Sequence, residues 1–484
     1  MGVTGFNSLM AIPDSSLTES WGKALGRSTD ISGFDIAYDR ITSIDESLAP
    51  SWFFYFAGIR DITSNQGTTY CLKALNSEKF EQRLGAAHYL SRTRNISLES
   101  STDQLLSAFK SEKQSDIRTA LGLALKNSPL IDSDTYMALI MQETDERVQI
   151  SLLRSAWRTE SLQPEDILPL LTENHHPSIR TSCANWLADQ VWTPELYQLI
   201  TAVHKAPSSE IAAPIMKGIL RYNEGEAFWI DLVKTQIQST QSPYEKGNYL
   251  RALEGIPSEI TFLSQFLDPT LGAPVSIAAA EALIATREFD KWSGPVAFED
   301  VIEIALDTND PSIISLFALH ISQVPEESLG EYPVLPLLEE KLPVFTDFEY
   351  TETYLDLQRA IANLKREDFK EPEFEYNHPP VFENLFKDNI LVNVVTTKGD
   401  FEMELYPMEA PLTVHDFVSK ADSGYYNQKP VHRVVPAFVI QTGCKRGDGW
   451  GSEAYTLRSE FNSLPYRTGV VGKASVGKDT EGVQ

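Results

Sequence analysis

The sequence predicts two architectures in one chain: an all-α array of helix pairs over residues 1–365 and an antiparallel β region over residues 389–484. Three observations carry this reading. A helical motif recurs at intervals of 35, 31, 31 and 32 residues. The apolar period switches from helical to alternating after residue 388. A stretch rich in Glu, Pro and aromatics, residues 366–388, lies between the two. At 484 residues the chain also exceeds one typical hydrophobic core.

The repeat starts at Arg83 (RLGAAHYL), Arg118 (RTALGLAL), Gln149 (QISLLRSA), Arg180 (RTSCANWL) and Ala212 (AAPIMKGI). Four residues after each start comes a small or apolar residue: Ala87, Gly122, Leu153, Ala184, Met216. Another follows at the seventh: Leu90, Leu125, Ala156, Leu187, Ile219. Those offsets share one helix face. Shorter apolar helices are expected between them, at Leu105–Phe109, Met137–Ile140, Ile167–Leu171 and Leu196–Leu199. Fainter copies fall at Lys246–Leu253, Ser276–Leu283 and Ile314–Ile321. A two-helix unit with this period is the mark of a solenoid, because one pair cannot cover its own apolar face while stacked neighbours can. The units resemble HEAT-type repeats. Arg83, Arg118 and Arg180 are expected to bridge to loop carboxylates or carbonyls of adjacent repeats. No polar cap precedes the apolar segments at Trp21 and at Trp52, Phe53 and Phe54, which leads us to expect repeats upstream.

The net charge of −27 argues against non-specific attraction to nucleic acid or anionic membrane. Cys71, Cys183 and Cys444 lie far apart without a CxxC pair, and the eight histidines form no HExxH, so neither a disulfide framework nor a metal site is expected. No signal peptide or spanning segment is evident, so a cytoplasmic chain is expected, with the cell envelope or periplasm open if a leader precedes it. In residues 366–388 the aromatics Phe374, Tyr376, Phe382 and Phe386 suggest a strap docked on a neighbouring domain.

From residue 389 each element has its own signal. Leu391–Thr397 and Phe401–Tyr406 alternate around Lys398-Gly399-Asp400, a hairpin pattern. Pro411 opens a helix over roughly Thr413–Ala421 with Val414, Phe417 and Val418 on one face, ended by Gly424-Tyr425-Tyr426. Two strands follow around Pro436, at Val431–Val435 and Phe438–Gln441. Within VHRVVPAFVIQ, an Arg beside an apolar floor and an amide can hold a proline ring and polarise the preceding peptide bond. Rotation about that bond faces a barrier of about 18–20 kcal/mol. A cation on the proline nitrogen favours the twisted form over either planar one, without metal or covalent step. Considered alone, Phe438 reads as core, Gln441 as a strand-end polar group and His432 as a structural hydrogen-bonder.

The succession TTKGDFEMELYPMEAP, TVHDFV, SGYY, HRVVPAFVIQTG, RGDGWGSE, RSEFN and GKASVGKDTEG resembles the first part of a cyclophilin-type peptidyl-prolyl isomerase. The resemblance implies an antiparallel barrel, here incomplete, and a prolyl cis–trans isomerase requiring no cofactor. It implies Arg433 as the catalytic arginine, Phe438 and Val439 as the proline-pocket wall, Gln441 as a contact to the substrate backbone, and Ala474 and Ser475 as a ledge for the extended peptide. Substrates would be proline-containing polypeptides, with the array recruiting them or a partner protein. The combination of array and isomerase looks bacterial. Several positions depart from the family pattern: Val431, Thr442-Gly443-Cys444-Lys445, Lys473 and Val483. The stop at Gln484 precedes the next core strand expected for the family, which suggests a fragment. The competing reading is a non-enzymatic scaffold with a degenerate proline-binding module.

Overall fold

Helical periodicity and strand alternation each find their element in a computed structural model, which describes residues 9–13, 40, 65–172, 175–203, 208–223, 226–288, 297–370, 385–462, 464, 466–475 and 479–484. The expectations for Trp21, Trp52, Phe53, Phe54, Phe374, Tyr376 and Phe382 fall outside these residues. The chain divides into two compact units, Met1–Cys183 and Ala184–Gln484.

The first unit holds α1 (Asn65–Ala74), α2 (Phe80–Arg92), α3 (Thr102–Ser111), α4 (Ser115–Ala124), α5 (Ser133–Gln142) and α6 (Glu146–Arg158). Helix α7 (Pro177–Ala188) runs into the second unit. The expected helix at Ile167–Leu171 is a 3-10 turn, Pro164–Leu171; Pro169 within it has no N–H to give an α-helical ladder. The second helices stack directly, α2 on α4 and α4 on α6. All ten repeat positions named above, from Ala87 to Ile219, are buried. Each fully buried aliphatic side chain contributes about 1.5–3 kcal/mol, which a lone pair could not collect.

Polar contacts fix the stacking register. Arg83 Nε donates to Glu112 at 2.7 Å and Arg118 Nε to Glu143 at 3.0 Å. Each glutamate caps the C-terminus of a first helix, α3 or α5. Its second oxygen accepts two backbone N–H groups just beyond. The second helix of one pair is thereby tied to the turn of the next. Burial alone would raise the Glu112 carboxyl, but the Arg83 and backbone donors outweigh it and hold it below its ordinary range. Arg180 instead donates to the Leu171 carbonyl at 3.2 Å.

In the second unit come α8 (Pro194–Val203), α9 (Ser209–Tyr222), α10 (Ala227–Ser239), α11 (Pro243–Arg251), α12 (Ile260–Ser264), α13 (Ala273–Glu288), α14 (Phe298–Asp307), α15 (Pro311–Ser322), α16 (Leu335–Lys341) and α17 (Thr351–Lys365). Stacking runs α9, α11, α13, α15, α17, the same alternate-helix pairing as in the first unit. The faint copies at 246, 276 and 314 lie on α11, α13 and α15. Among the described residues no helix is long and apolar enough to cross a membrane.

After α17 the chain turns to β structure. Strands β1 (Ile390–Thr396) and β2 (Gly399–Leu405) pair antiparallel, with Thr396 opposite Gly399. The turn is therefore Thr397-Lys398, and Gly399 and Asp400 already belong to β2, a correction to the expected Lys398-Gly399-Asp400 turn. The Thr396 hydroxyl accepts from Lys398 N–H and donates to the Gly399 carbonyl, which closes the turn one residue earlier. Helix α18 (Pro411–Asp422) is followed by β3 (Arg433–Val435) and β4 (Val439–Gln441), also antiparallel. Among the described residues the two hairpins form separate two-stranded sheets, with an isolated bridge between Leu457 and Glu481, and are not closed into a barrel.

Gly247 on α11 marks a close approach of the stack to backbone. A Cβ there would lie 2.4 Å from the Pro274 carbonyl oxygen, a backbone atom on α13 that cannot rotate away. Alanine favours an isolated helix by about 1 kcal/mol over glycine, whereas overpacking costs about 1–3 kcal/mol. Gly247→Ala is expected to destabilise the chain in urea unfolding; a gain in stability would refute this packing.

Candidate functional site

The C-terminal region is built around α18. Pro411 occupies its first turn, where a missing N–H costs nothing. The N-terminal Leu412 and Thr413 N–H groups, which have no intrahelical partner, donate to the two oxygens of Glu460 at 2.9 and 2.8 Å. RSEFN thus supplies a cap from 48 residues away. At the other end Gly424 takes φ +76°. Gly424 N–H reaches the Ala421 carbonyl and Tyr425 N–H the Lys420 carbonyl, the double closure of a Schellman motif. Val414 is buried, with Phe417 and Val418 half-buried, as the one-face pattern predicted.

Asp416, only 2% exposed, sits on the buried face of this helix. It accepts from Lys473 Nζ at 3.0 Å and from the Tyr455 hydroxyl. Burial pushes the Lys473 ammonium below its ordinary range, and the Asp416 charge works against that. Burial and the Asp416 contact both push the Tyr455 phenol up. Lys473 therefore has a structural role: it neutralises a buried carboxylate.

The predicted site residues sit on the second hairpin and the last segment. Arg433 pairs across the sheet with Gln441, and its Nη1 donates to Gln441 Oε1 at 3.2 Å. Gln441 Nε2 donates to Gln484 Oε1 at 2.9 Å, and Gln484 Nε2 donates in turn to the Gly449 and Gly451 carbonyls at 2.8 and 3.2 Å. This amide relay fixes the Gln441 side chain, leaving the Arg433 guanidinium exposed and without an ion pair among the described residues. Val439 is half-buried on β4, while Phe438, in the turn, is 75% exposed. Val434 and Ile440, opposite each other, are 63% and 64% exposed. Ala474 lies half-buried and Ser475 exposed; Ala474 N–H donates to the Gln484 carbonyl at 3.0 Å. The relay through Gln484 is a site feature the sequence reading missed, because nothing local to residue 484 points to residue 441.

The His432 ring nitrogens are buried, with the ring close to Gly449 and beside the Gln484 side chain. Burial holds its imidazole below the ordinary range; the Asp448 charge opposes this and Arg433 adds to it. Tyr426 donates to the Val483 carbonyl at 3.2 Å, and Val483 is buried.

The same region contacts the last helices of the array. Arg446 Nη2 lies 2.7 Å from Asp310, the N-cap of α15, and Lys445 Nζ lies 3.0 Å from Glu349. Phe386 stacks at 5.2 Å on His415 of α18. The Cys444-Lys445-Arg446 turn thus carries one ion pair to the N-cap of α15 and one to the turn before α17. Among the described residues no group of three His, Cys, Asp or Glu could hold a metal ion.

With this geometry described, comparison with known proteins shows what the C-terminal segment resembles. Residues 391–484 match the cyclophilin type peptidyl-prolyl cis-trans isomerase/CLD family. The chain carries a cyclophilin-type segment preceded by an extended helical array. Over 85 residues it is 44% identical to peptidyl-prolyl cis-trans isomerase B of Bacillus subtilis, covering 17% of this chain and 59% of that protein. It is 36% identical over 89 residues to the peptidyl-prolyl cis-trans isomerase of Synechococcus elongatus, covering 18% and 61%. The Helicobacter pylori isomerase is 37% identical over 93 residues, with 19% and 57% covered. The chain thus spans about three fifths of the length of these relatives.

Two stability predictions follow from the buried charges. Removing one partner of a buried ion pair costs about 3–5 kcal/mol, whereas replacing both by apolar groups is often neutral. Lys473→Met is expected to destabilise the C-terminal region by that order in chemical denaturation, and Asp416→Leu with Lys473→Met by clearly less; equal losses would contradict a coupled pair. For His432 the sign is set by a folded pKa below the unfolded one. The unfolded chain takes the proton first, so stability falls as pH drops below about 6.5. Thermal melts of His432→Phe are expected to lack that decline; an unchanged pH profile would remove His432 as its source.

Proposed function

We propose that residues 389–484 carry a peptidyl-prolyl cis–trans isomerase site, with Arg433 as the catalytic residue. The observation that carries the reading is the exposed Arg433 guanidinium, held beside Gln441 and free of any carboxylate among the described residues, within a segment matching the cyclophilin-type family. In this reading Phe438 and Val439 flank the proline ring, Gln441 contacts the substrate backbone, and Ala474 and Ser475 support the extended peptide. Arg433 hydrogen-bonds the proline nitrogen as the amide twists, stabilising the transition state over both planar forms. Each ~1.4 kcal/mol of that preference gives tenfold in rate. The planar fork of arginine can hold Gln441 and the substrate at once, which lysine cannot do as well.

The helical region is read as a HEAT-type solenoid over residues 1–365 that recruits proline-containing polypeptides or a partner protein. A second reading, a proline-segment binding module without turnover, is favoured by one observation. Phe438, Val434 and Ile440 stand exposed on a two-stranded sheet, so among the described residues they do not enclose the guanidinium.

The test is refolding of a protein whose slow phase is limited by an X–Pro bond, ordinarily tens of seconds or longer. The chain is expected to accelerate that phase, and Arg433→Ala to lower the acceleration by roughly tenfold or more while its circular dichroism spectrum stays unchanged. Equal acceleration by Arg433→Ala would reject the role of Arg433; binding of proline peptides without acceleration would favour the second reading.

A further inference from the structure

The stacking that buries the repeat cores also brings together basic residues far apart in the sequence. Helix α2 ends at Arg92, α4 is followed at once by Lys126 in a 3-10 turn, and α6 ends at Arg158. Because α2, α4 and α6 stack in that order, these ends lie side by side. Lys126 is half-buried, and its Nζ donates to the Ser91 carbonyl of the neighbouring pair. Burial lowers the Lys126 pKa, and the charges of Arg158 and Arg92 lower it further. Arg154, one turn back on α6, is likewise lowered by burial and then by Arg158. Arg158 is exposed and has no ion pair among the described residues.

Cations at helix C-termini are ordinarily explained by the helix dipole, which contributes about 0.3–1 kcal/mol each. The same chain argues that more is at stake here. Arg221 ends its helix region in the second unit and contacts Asp189 at 3.0 Å and Glu254 at 2.5 Å. Lys217 shares both carboxylates, and Arg251, which ends α11, contacts Glu281 at 2.5 Å. There the array supplies acids to its own helix-end cations. At Lys126 and Arg158 it gathers like charges instead, in a chain with 68 acidic and only 41 basic residues. Gathering like charges with partial burial is unfavourable in the isolated molecule. An external anion would relieve it.

We propose that the C-terminal ends of α4 and α6, beside that of α2, form a docking strip for an acidic, extended polypeptide segment, with Lys126 and Arg158 as its cations. Spacing gives the pattern of the partner. Packed helices lie about 8–10 Å apart, and an extended chain advances about 3.3 Å per residue. Carboxylates at every third residue therefore meet successive helix ends. This proposal is independent of the isomerase reading, since it concerns the first unit alone.

The test is fluorescence anisotropy of the full chain with a labelled peptide carrying Glu at every third residue and Ser or Gly between. Binding is expected at low ionic strength, weakening as salt is raised, because screening acts on exposed charge pairs. Arg158→Gln, a change at an exposed position, is expected to weaken binding by roughly tenfold, and Lys126→Met at least as much. A glutamine version of the peptide is expected not to bind. Absence of binding at low salt, or equal affinity in wild type and Arg158→Gln, would overturn the proposal. So would preference for a single-stranded oligonucleotide of equal charge, which would make the strip a phosphate-backbone surface instead.

Discussion

The constraint on which the structure rests is that a helix pair of the described array cannot bury its own apolar face alone. Ala87, Leu90, Leu153 and Ala156 are removed from water only because a neighbouring second helix lies against them. Everything that fixes spacing along the array serves that contact. The Arg83–Glu112 and Arg118–Glu143 pairs set how far one pair can slide past the next. Glycines such as Gly122, whose missing Cβ would meet Ser151 at 2.1 Å, set how closely they approach. The Ser155 hydroxyl, donating to the Gly122 carbonyl at 2.7 Å, then uses that closeness.

The C-terminal region solves a different problem, with few strands and much polar closure. Its strands are short or isolated, so side chains do the work that ladders do in a large sheet. Glu460 caps α18, Asp416 gathers Lys473 and Tyr455, and Gln484 ties Gln441 to two glycine carbonyls. Arg433 lies at the end of this network rather than inside it. A guanidinium with one neutral partner keeps donors for a substrate, whereas one locked to a carboxylate would not. That distinction links the local geometry to the proposed chemistry.

Much of this was legible in the sequence, for a physical reason. Repeat positions such as Leu90 and Ile219 are encoded locally, by helical period, and they are buried as expected. Helix α18 carries its own start and stop in Pro411 and Gly424. Contacts between distant residues were not legible. Asp416 and Lys473 are 57 residues apart, and Lys473 read only as an anomaly. Arg446 and Asp310 are 136 apart, and neither position announces the other. The basic strip escaped notice because Arg92, Lys126 and Arg158 form no run, and only stacking makes them neighbours. The burial of the His432 ring nitrogens was not legible either, because Gly449 and Gln484 reach them from outside its strand.

The central claim is that Arg433 acts on a twisting prolyl bond. Two-dimensional exchange spectroscopy of an X–Pro peptide at equilibrium, with catalytic amounts of the chain, tests it most directly. The account predicts cis–trans exchange cross-peaks within a mixing time far shorter than uncatalysed isomerisation, and their loss when residue 433 is alanine. Cross-peaks of equal intensity with alanine at 433, or none with the unaltered chain, would contradict it.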